Sequence, residues 1–302
     1  KVNKLAKTDY QGTYEIGFLI SPRLNAMGRM ENALDSLRLL LTKDKERAQK
    51  LAIELGKTNK ARQEQTQTAL EHAKKQVEEK FYKNRFLIVD SESYPEGVVG
   101  LVASRLVEAF YKPTAVLGKG ENFYKGSARS ISSFNITKAL HTQENILIAH
   151  GGHPMAAGFS IEGKNIALLR NNLEEVAQSE ISEENLVPEL KVDAEITLEE
   201  INADLLALVK EFEPFGIGNP EPVFLTKSLE VVAVRLVGKE NNHIKLTLKN
   251  KAGLILEGIG FGLFEKKPSV GELIDVVYNI RENYWNSQKR LEARIKDLRR
   301  SR

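Results

Sequence analysis

The chain has 302 residues, 44 basic against 41 acidic side chains, 41% hydrophobic and 28% charged residues, and no cysteine. That length exceeds an ordinary single domain and allows two or three, each with its own core. No apolar run approaches the roughly 20 residues of a membrane span, and the start lacks a secretory apolar stretch. Those two features lead to the expectation of a cytoplasmic protein with no membrane partner; the lack of thiols excludes disulfides, iron–sulfur clusters, thiolate zinc sites and cysteine nucleophiles and says little about compartment.

Residues 1–42 begin irregularly and then bring Leu34, Leu37, Leu40 and Leu41 in at helical spacing. From Lys43 to Lys80 no proline intervenes, and Ala48, Leu51, Leu55, Ala69, Ala73 and Val77 recur with the period of a helix. The pattern predicts either one helix of roughly 55 Å or two shorter ones parted at Gly56, since glycine costs about 1 kcal/mol relative to alanine. The texture then turns to α/β. "RFLIVD" (85–90) reads as a strand covered on both faces, a helix opens at Pro95, and "PTAVLG" (113–118) is a second strand. "FYKGSARSI" (123–131), a helix around "NITKALH", the strand "NILIAH" (145–150) and the helix "NIALLRNNLEEVAQSE" complete a unit with a mostly parallel or mixed sheet.

After Pro188 one helix, "LEEINADLLALVKEF", precedes five strand-like runs: "SLEVVAVRLVG", "HIKLTLKN", "GLILEGIGF", "ELIDVVYNI" and "KRLEARIKDL". Five such strands predict a small β-barrel of the oligonucleotide-binding (OB) type. The fold class is therefore α/β plus β: a segment with a long connecting helix (1–83), an α/β domain (84–186) and an OB-fold-like barrel (187–302).

The small net charge of +3 conceals an asymmetry. Between Asn171 and Asp204 eleven acidic residues face the single base Lys191, a local −10, which leaves about +13 for the rest. The last 22 residues alone hold eight basic and three acidic side chains. A basic surface beside a separate acidic segment is the pattern of a nucleic-acid binder, although solvated faces of ordinary domains share it.

Catalytic metal is not expected. Two-metal phosphoesterases gather carboxylates and histidines around each ion, whereas the eight aspartates here are scattered, and His150 and His153, three apart on what reads as a glycine turn, lack a common register. Phosphate recognition is better supplied. "KGSARS" (125–130) offers Ser127, Ser130 and the fork of Arg129, and "HGGH" offers the bare backbone of Gly151 and Gly152 beside His153. "SPRLNAMGRM" (21–30) presents Arg23, Asn25 and Arg29 with no apolar periodicity to explain them. Each cluster taken alone also reads as a turn with surface arginines, with His153 a core histidine. "EPFGIGNPEPVF" (213–224) reads as a stiff linker. Of the aromatics near the barrel, Phe261, Phe264 and Tyr278 are assigned to the core, while Tyr284 and Trp285, in a polar and basic setting, are the candidates to stack bases.

The succession "PRLNAMGRM", "GSARS", "GGHPMAAGFSI", "PFGIGNPEPVF" resembles the C-terminal two-thirds of the RecJ family, single-strand-specific 5′→3′ DNA exonucleases of the DHH phosphoesterase superfamily. "GGHxxAAG" alone marks any DHHA1 domain; the combination is far more specific. The resemblance implies a DHHA1 domain followed by an OB domain that hold single-stranded DNA. It also implies an N-terminal DHH domain, carrying Mn²⁺ or Mg²⁺ and doing the cutting, which these residues do not include, in keeping with Lys at position 1. It places the 5′-phosphate on Ser127 and Arg129, a nucleotide near the metals on His153, and the backbone on Arg23 and Arg29. It brings single-strand-binding protein and a helicase into view as partners, and DNA repair and recombination as the process. Ala128 departs from the family's usual glycine and makes that loop slightly less open. Two other readings stay open: a nucleic-acid-binding module without catalysis, and a DHHA1-type oligonucleotide phosphoesterase, which would have little need of a barrel.

Overall fold

The structure, a computed structural model, describes residues 12–285 and 288–301, with the side chains of 284, 285, 288 and 289 left out. The chain divides into two compact units, Lys1–Pro188 and Glu189–Arg302.

The first unit opens with more helix than the sequence promises. A π-helical stretch, Glu15–Ile20, leads into α1 (Ser21–Met30), so "SPRLNAMGRM" is a helix with Pro22 in its first turn. Only Ala26 and Met27 are buried in it, and two adjacent residues leave no periodic stripe to read. α2 (Leu34–Leu41) forms as expected, yet Leu34, Leu37, Leu40 and Leu41 stay 51–71% exposed, and what docks is Ser36, whose hydroxyl donates to Leu24 O at 2.7 Å. α3 (Lys45–Gln76) is one uninterrupted helix of 32 residues, about 48 Å at 1.5 Å per residue. Asp44 caps it by accepting from the amides of Glu46 and Arg47 at 2.9 and 3.2 Å. Gly56 does not break it, because buried Leu51, Leu55, Thr58 and Asn59 straddle that position and packing of this extent outweighs a propensity cost of about 1 kcal/mol.

The α/β core follows in the order β1 (Leu87–Ser91), α4 (Glu96–Phe110), β2 (Thr114–Lys119), β3 (Tyr124–Arg129), α5 (Ile136–His141), β4 (Leu147–His153), β5 (Ala156–Ile161) and α6 (Ile166–Glu180). The strands form one mixed sheet, β1-β2-β3-β5-β4, with β1 and β2 parallel and the other pairs antiparallel. Alternation of side chains splits the core in two. Phe86, Ile88, Leu117, Ala128 and Phe159 pack against α5 and α6, while Leu87, Val89 and Val116 pack against α4 and the end of α3.

In the second unit a short β6 (Ala194–Glu195) and α7 (Ala203–Glu211) precede β7 (Phe224–Val237), β8 (His243–Lys249), β9 (Ile255–Gly260), β10 (Leu273–Trp285) and β11 (Gln288–Arg300). The order β10-β11-β9-β8-β7, with β10 pairing back onto β7, closes a five-stranded barrel. Its core holds Tyr278, fully buried, with its hydroxyl 2.7 Å from that of Thr226; burial pushes the Tyr278 phenol up to about 12.

Candidate nucleic-acid interface

The register of β3, β5 and β4 builds the first surface. Gly158 of β5 lies between Ser127 and Gly151, and Ala156 between Arg129 and His153. Directly opposed residues of antiparallel strands project to the same face, so Ser127 and Arg129 stand on one side of a floor of Gly151, Gly158 and Ala156, and His153 on the other. Two interstrand steps of about 4.8 Å separate the two sides at the backbone. This is the sheet face that α4 covers only over β1, β2 and β3; Gly151, His153 and Gly158 remain exposed.

A cleft of about 670 Å³ opens there, lined among others by Arg29, Gly97, Lys125, Ser127, Arg129 and Gly158. Its wall depends on a close approach: a Cβ on Gly97 would fall 2.0 Å from Arg29 O, so the end of α1 presses on the first turn of α4 where only glycine fits. Arg29 Nη1 donates to Gly97 O at 3.4 Å. Arg129 Nη1 donates to Ala128 O at 2.8 Å and to Ser127 Oγ at 2.9 Å, which fixes the guanidinium beside the hydroxyl. The positive end of the α4 dipole adds to the same field.

The electrostatics point to an anion. Burial, and then the charge of Arg29, lower the Arg129 guanidinium from its ordinary range, and the same two causes act on Arg62. Arg62 Nη2 donates to Asn59 Oδ1 at 3.0 Å, while its Nε is shut off without a partner. Among the described residues no carboxylate pairs with Arg29, Arg62 or Arg129. Like charges held together without a counter-ion repel one another, and a phosphate would relieve that repulsion while accepting fork-shaped hydrogen bonds.

The barrel carries the second surface. On β8 and β9 the inward residues alternate with outward His243, Lys245, Ile259 and, just past the strand, Phe261. Phe261 is half exposed, meets His243 edge-on at 5.1 Å between ring centroids, and carries the Arg294 guanidinium 5.7 Å from its own. Burial, the neighbouring Arg294 and, less, Arg281 lower the Lys296 ammonium, with Glu221 opposing them. An exposed ring bordered by cations is the arrangement that stacks bases of a single strand while drawing in its backbone.

A DHHA1 domain profile matches residues 83–179, and a RecJ OB domain profile matches residues 192–297. The chain is a RecJ-family sequence, built from these two domains. It is 36% identical to the single-stranded-DNA-specific exonuclease RecJ of Bacillus subtilis over 286 residues, covering 93% of this chain and 36% of that protein. Crystal structures of RecJ from Thermus thermophilus with Mn²⁺ and with Mg²⁺ superpose with TM-scores of 0.84 and 0.81 at 28% identity, over 97% of this chain and 43% and 45% of those. The chain thus spans less than half the length of these relatives.

The structure brings Ser127 and Arg129 of the DHHA1 domain and Arg29 of α1 to one cleft with Gly158 on its floor, while Gly151 and His153, on β4, are not among its lining residues. Other expected residues lie elsewhere. Ser130 is 5% exposed and its hydroxyl donates to Phe134 O at 2.6 Å, so it has no free hydroxyl for a phosphate. Arg23 donates back to Leu19 O in the π-helical stretch that leads into α1. Asn25 is exposed two positions on, about 200° around α1 from Arg23. "HGGH" is no turn: both histidines belong to β4, and the reversal falls at Pro154–Met155. Being three apart on a strand, His150 and His153 leave opposite faces, which rules out a joint ligand pair. His153 is exposed, its Nδ1 3.4 Å from the Met155 amide. Gly152 is required for a different reason than openness: its φ is +152° and a Cβ would meet Ala156 O at 2.3 Å.

In the RecJ OB domain Tyr278 is core, but Phe261 and Phe264 are 51% and 47% exposed, which corrects their assignment to the interior. The signal was strand parity: with Leu256, Gly258 and Gly260 inward, Phe261 falls on the side of Glu257. The side chains of Tyr284 and Trp285 lie outside the described residues. Arg62 and Arg294 were missed because nothing in their local sequence sets them apart. No described helix is long and apolar enough to cross a membrane.

Mn²⁺ and Mg²⁺ require several hard oxygen ligands. Among the described residues Glu96 is the sole carboxylate lining the cleft, against Arg29, Arg129 and Lys125. The residues present do not fit such an ion.

Proposed function

We propose that this chain is the DNA-holding C-terminal portion of a RecJ-like, single-strand-specific 5′→3′ DNA exonuclease that acts in cytoplasmic DNA repair and recombination. The observation that carries this reading is the cluster of arginines without carboxylate partners around Ser127 and Arg129 in the cleft, on the sheet face where His153 stands in register with Arg129 across Ala156. In this reading Ser127 and Arg129 hold the terminal 5′-phosphate, Arg29 holds the backbone, and His153 orients the nucleotide. Arg23 and Gly152 support the site by fixing α1 and the hairpin. In the same reading the barrel offers a surface of its own for single strands, with Phe261 stacking a base and Arg294 meeting the backbone, and Tyr284 and Trp285 are further candidates to stack bases. Hydrolysis, and the Mn²⁺ or Mg²⁺ that activates water for it, belong to a DHH domain outside these residues. Single-strand-binding protein and a helicase are the partners that would present such strands.

Incubating the purified chain with labelled single-stranded DNA and Mn²⁺ tests this division of labour. Binding that weakens with salt, by a log–log slope of roughly −0.7 per phosphate contacted, and no release of mononucleotides are expected. Metal-dependent release would end the proposal.

A further inference from the structure

On the opposite face of the sheet, beside α5, a second group of side chains converges to which the function proposed above assigns no role. α5 ends at His141, Glu144 follows within a turn, and His150 enters from β4 next to Phe159 of the neighbouring strand. His141 Nδ1 stands 3.4 Å from Glu144 Oε2. The two imidazole rings lie 5.8 Å apart between centroids, and one donor atom from each of the three residues falls within 4.8 Å of the others. His150 Nδ1 is sealed from solvent and has no hydrogen-bond partner. A buried ring nitrogen in that state needs a partner, and an ion is one that the surroundings can supply.

We infer that His141, Glu144 and His150 form a binding site for a divalent transition-metal ion of the zinc class. Two imidazoles and one carboxylate suit Zn²⁺, Co²⁺, Ni²⁺ or Cu²⁺, whereas Mg²⁺ and Ca²⁺ take oxygen. Bonds of about 2.0–2.1 Å in a tetrahedron set donors roughly 3.4 Å apart, the spacing His141 and Glu144 already have. The longer separations close by rotation of His141 and Glu144, whose side chains are 70% and 64% exposed. That exposure also leaves the fourth position to water. An i,i+3 pair of solvated side chains would explain His141 and Glu144 alone; it does not explain the sealed nitrogen of His150. The ion ties the end of α5 to β4, the edge strand, three residues before His153 and just past the register shift between Leu147 and Ala149. It acts as a clip on the strand that borders the cleft and depends on none of the cleft's arginines.

Calorimetric titration of the 302-residue chain with Zn²⁺, and visible absorption with Co²⁺, read this out directly. One equivalent bound, d–d bands of a nitrogen- and oxygen-ligated ion, and a melting temperature raised by saturating Zn²⁺ are expected. His141→Ala, at an exposed position and with unchanged circular dichroism, lowers affinity at least tenfold. Glu144→Gln weakens it several-fold, and His72→Gln leaves it as it was. Absence of binding to the native chain, or an affinity indifferent to both His141→Ala and His150→Asn, overturns the assignment.

Discussion

Replacing Arg129 by alanine separates recognition of a strand's end from recognition of its backbone. The guanidinium is half-buried and held by Ala128 O and Ser127 Oγ, so it meets a phosphate pre-oriented. A charge-assisted hydrogen bond to such a group contributes about 1.5–3 kcal/mol, or roughly 10–150-fold in affinity at about 1.4 kcal/mol per decade. Arg29 and Arg62 stay in place, so general affinity falls less than the preference for a phosphorylated end. Stability changes little: two internal hydrogen bonds are lost while repulsion from Arg29 is relieved. The assay is fluorescence anisotropy with otherwise identical oligonucleotides bearing a 5′-phosphate or a 5′-hydroxyl. In the native chain the phosphorylated strand binds tighter. In Arg129→Ala the ratio falls toward one, and the salt slope drops by about 0.7 for one lost contact. A folded Arg129→Ala protein with the native preference would refute the assignment of this cleft to the strand's end.

Three more outcomes follow from the same geometry. Gly152→Ala lowers the unfolding midpoint by the equivalent of about 1–3 kcal/mol, since φ is +152° and the added carbon meets Ala156, whereas Gly151→Ala, with nothing within 4 Å, leaves the midpoint unchanged; equal effects would contradict the hairpin geometry. Phe261→Ala weakens binding of single strands by about 1–3 kcal/mol without lowering the melting temperature, because the ring is half exposed; unaltered binding removes this ring from the DNA path. Burial raises the Asp275 carboxyl, but the Ser301 hydroxyl, the Ser228 amide and Arg299 more than offset it, and the net displacement is downward. Its contribution is therefore present above the unfolded value of about 3.9 and fades as pH falls below it, so urea midpoints should drop less on acidification in Asp275→Asn than in the native chain.

What the sequence revealed follows what each element buries. The sheet of the DHHA1 domain was most readable at β1 and β2, which are covered on both sides and run continuously apolar, as in "RFLIVD", and the barrel because β8 alternates strictly from His243 to Lys249. α1 was not readable, since two buried residues cannot carry a period, and Gly56 misdirected because propensity was weighed without the packing around it. At the site, Arg129 and Ser127 were visible in "GSARS", and Arg29 in "PRLNAMGRM". Arg62 was not, since it owes its place to the phase of a helix that carries it to Arg29 from 33 residues away. His150 and His153 look alike in sequence; strand parity alone sends one to each face.

The unbroken course of α3 constrains how this protein can diverge. Leu51 and Leu55 seat one end of the helix and Ala69, Ala73 and Val77 the other, with Arg62 between them. Inserting or deleting a single residue between Leu55 and Ala69 would rotate everything beyond it by about 100°, so that both ends could not seat together, and a change before Arg62 would also swing that guanidinium relative to Leu51 and Leu55. Substitutions along its solvated face cost little, but its length is fixed. Related chains that keep this cleft are expected to vary in residue count in the connections around Gly120 or Asn241, while this helix keeps its register as a gauge rod between the two ends it joins.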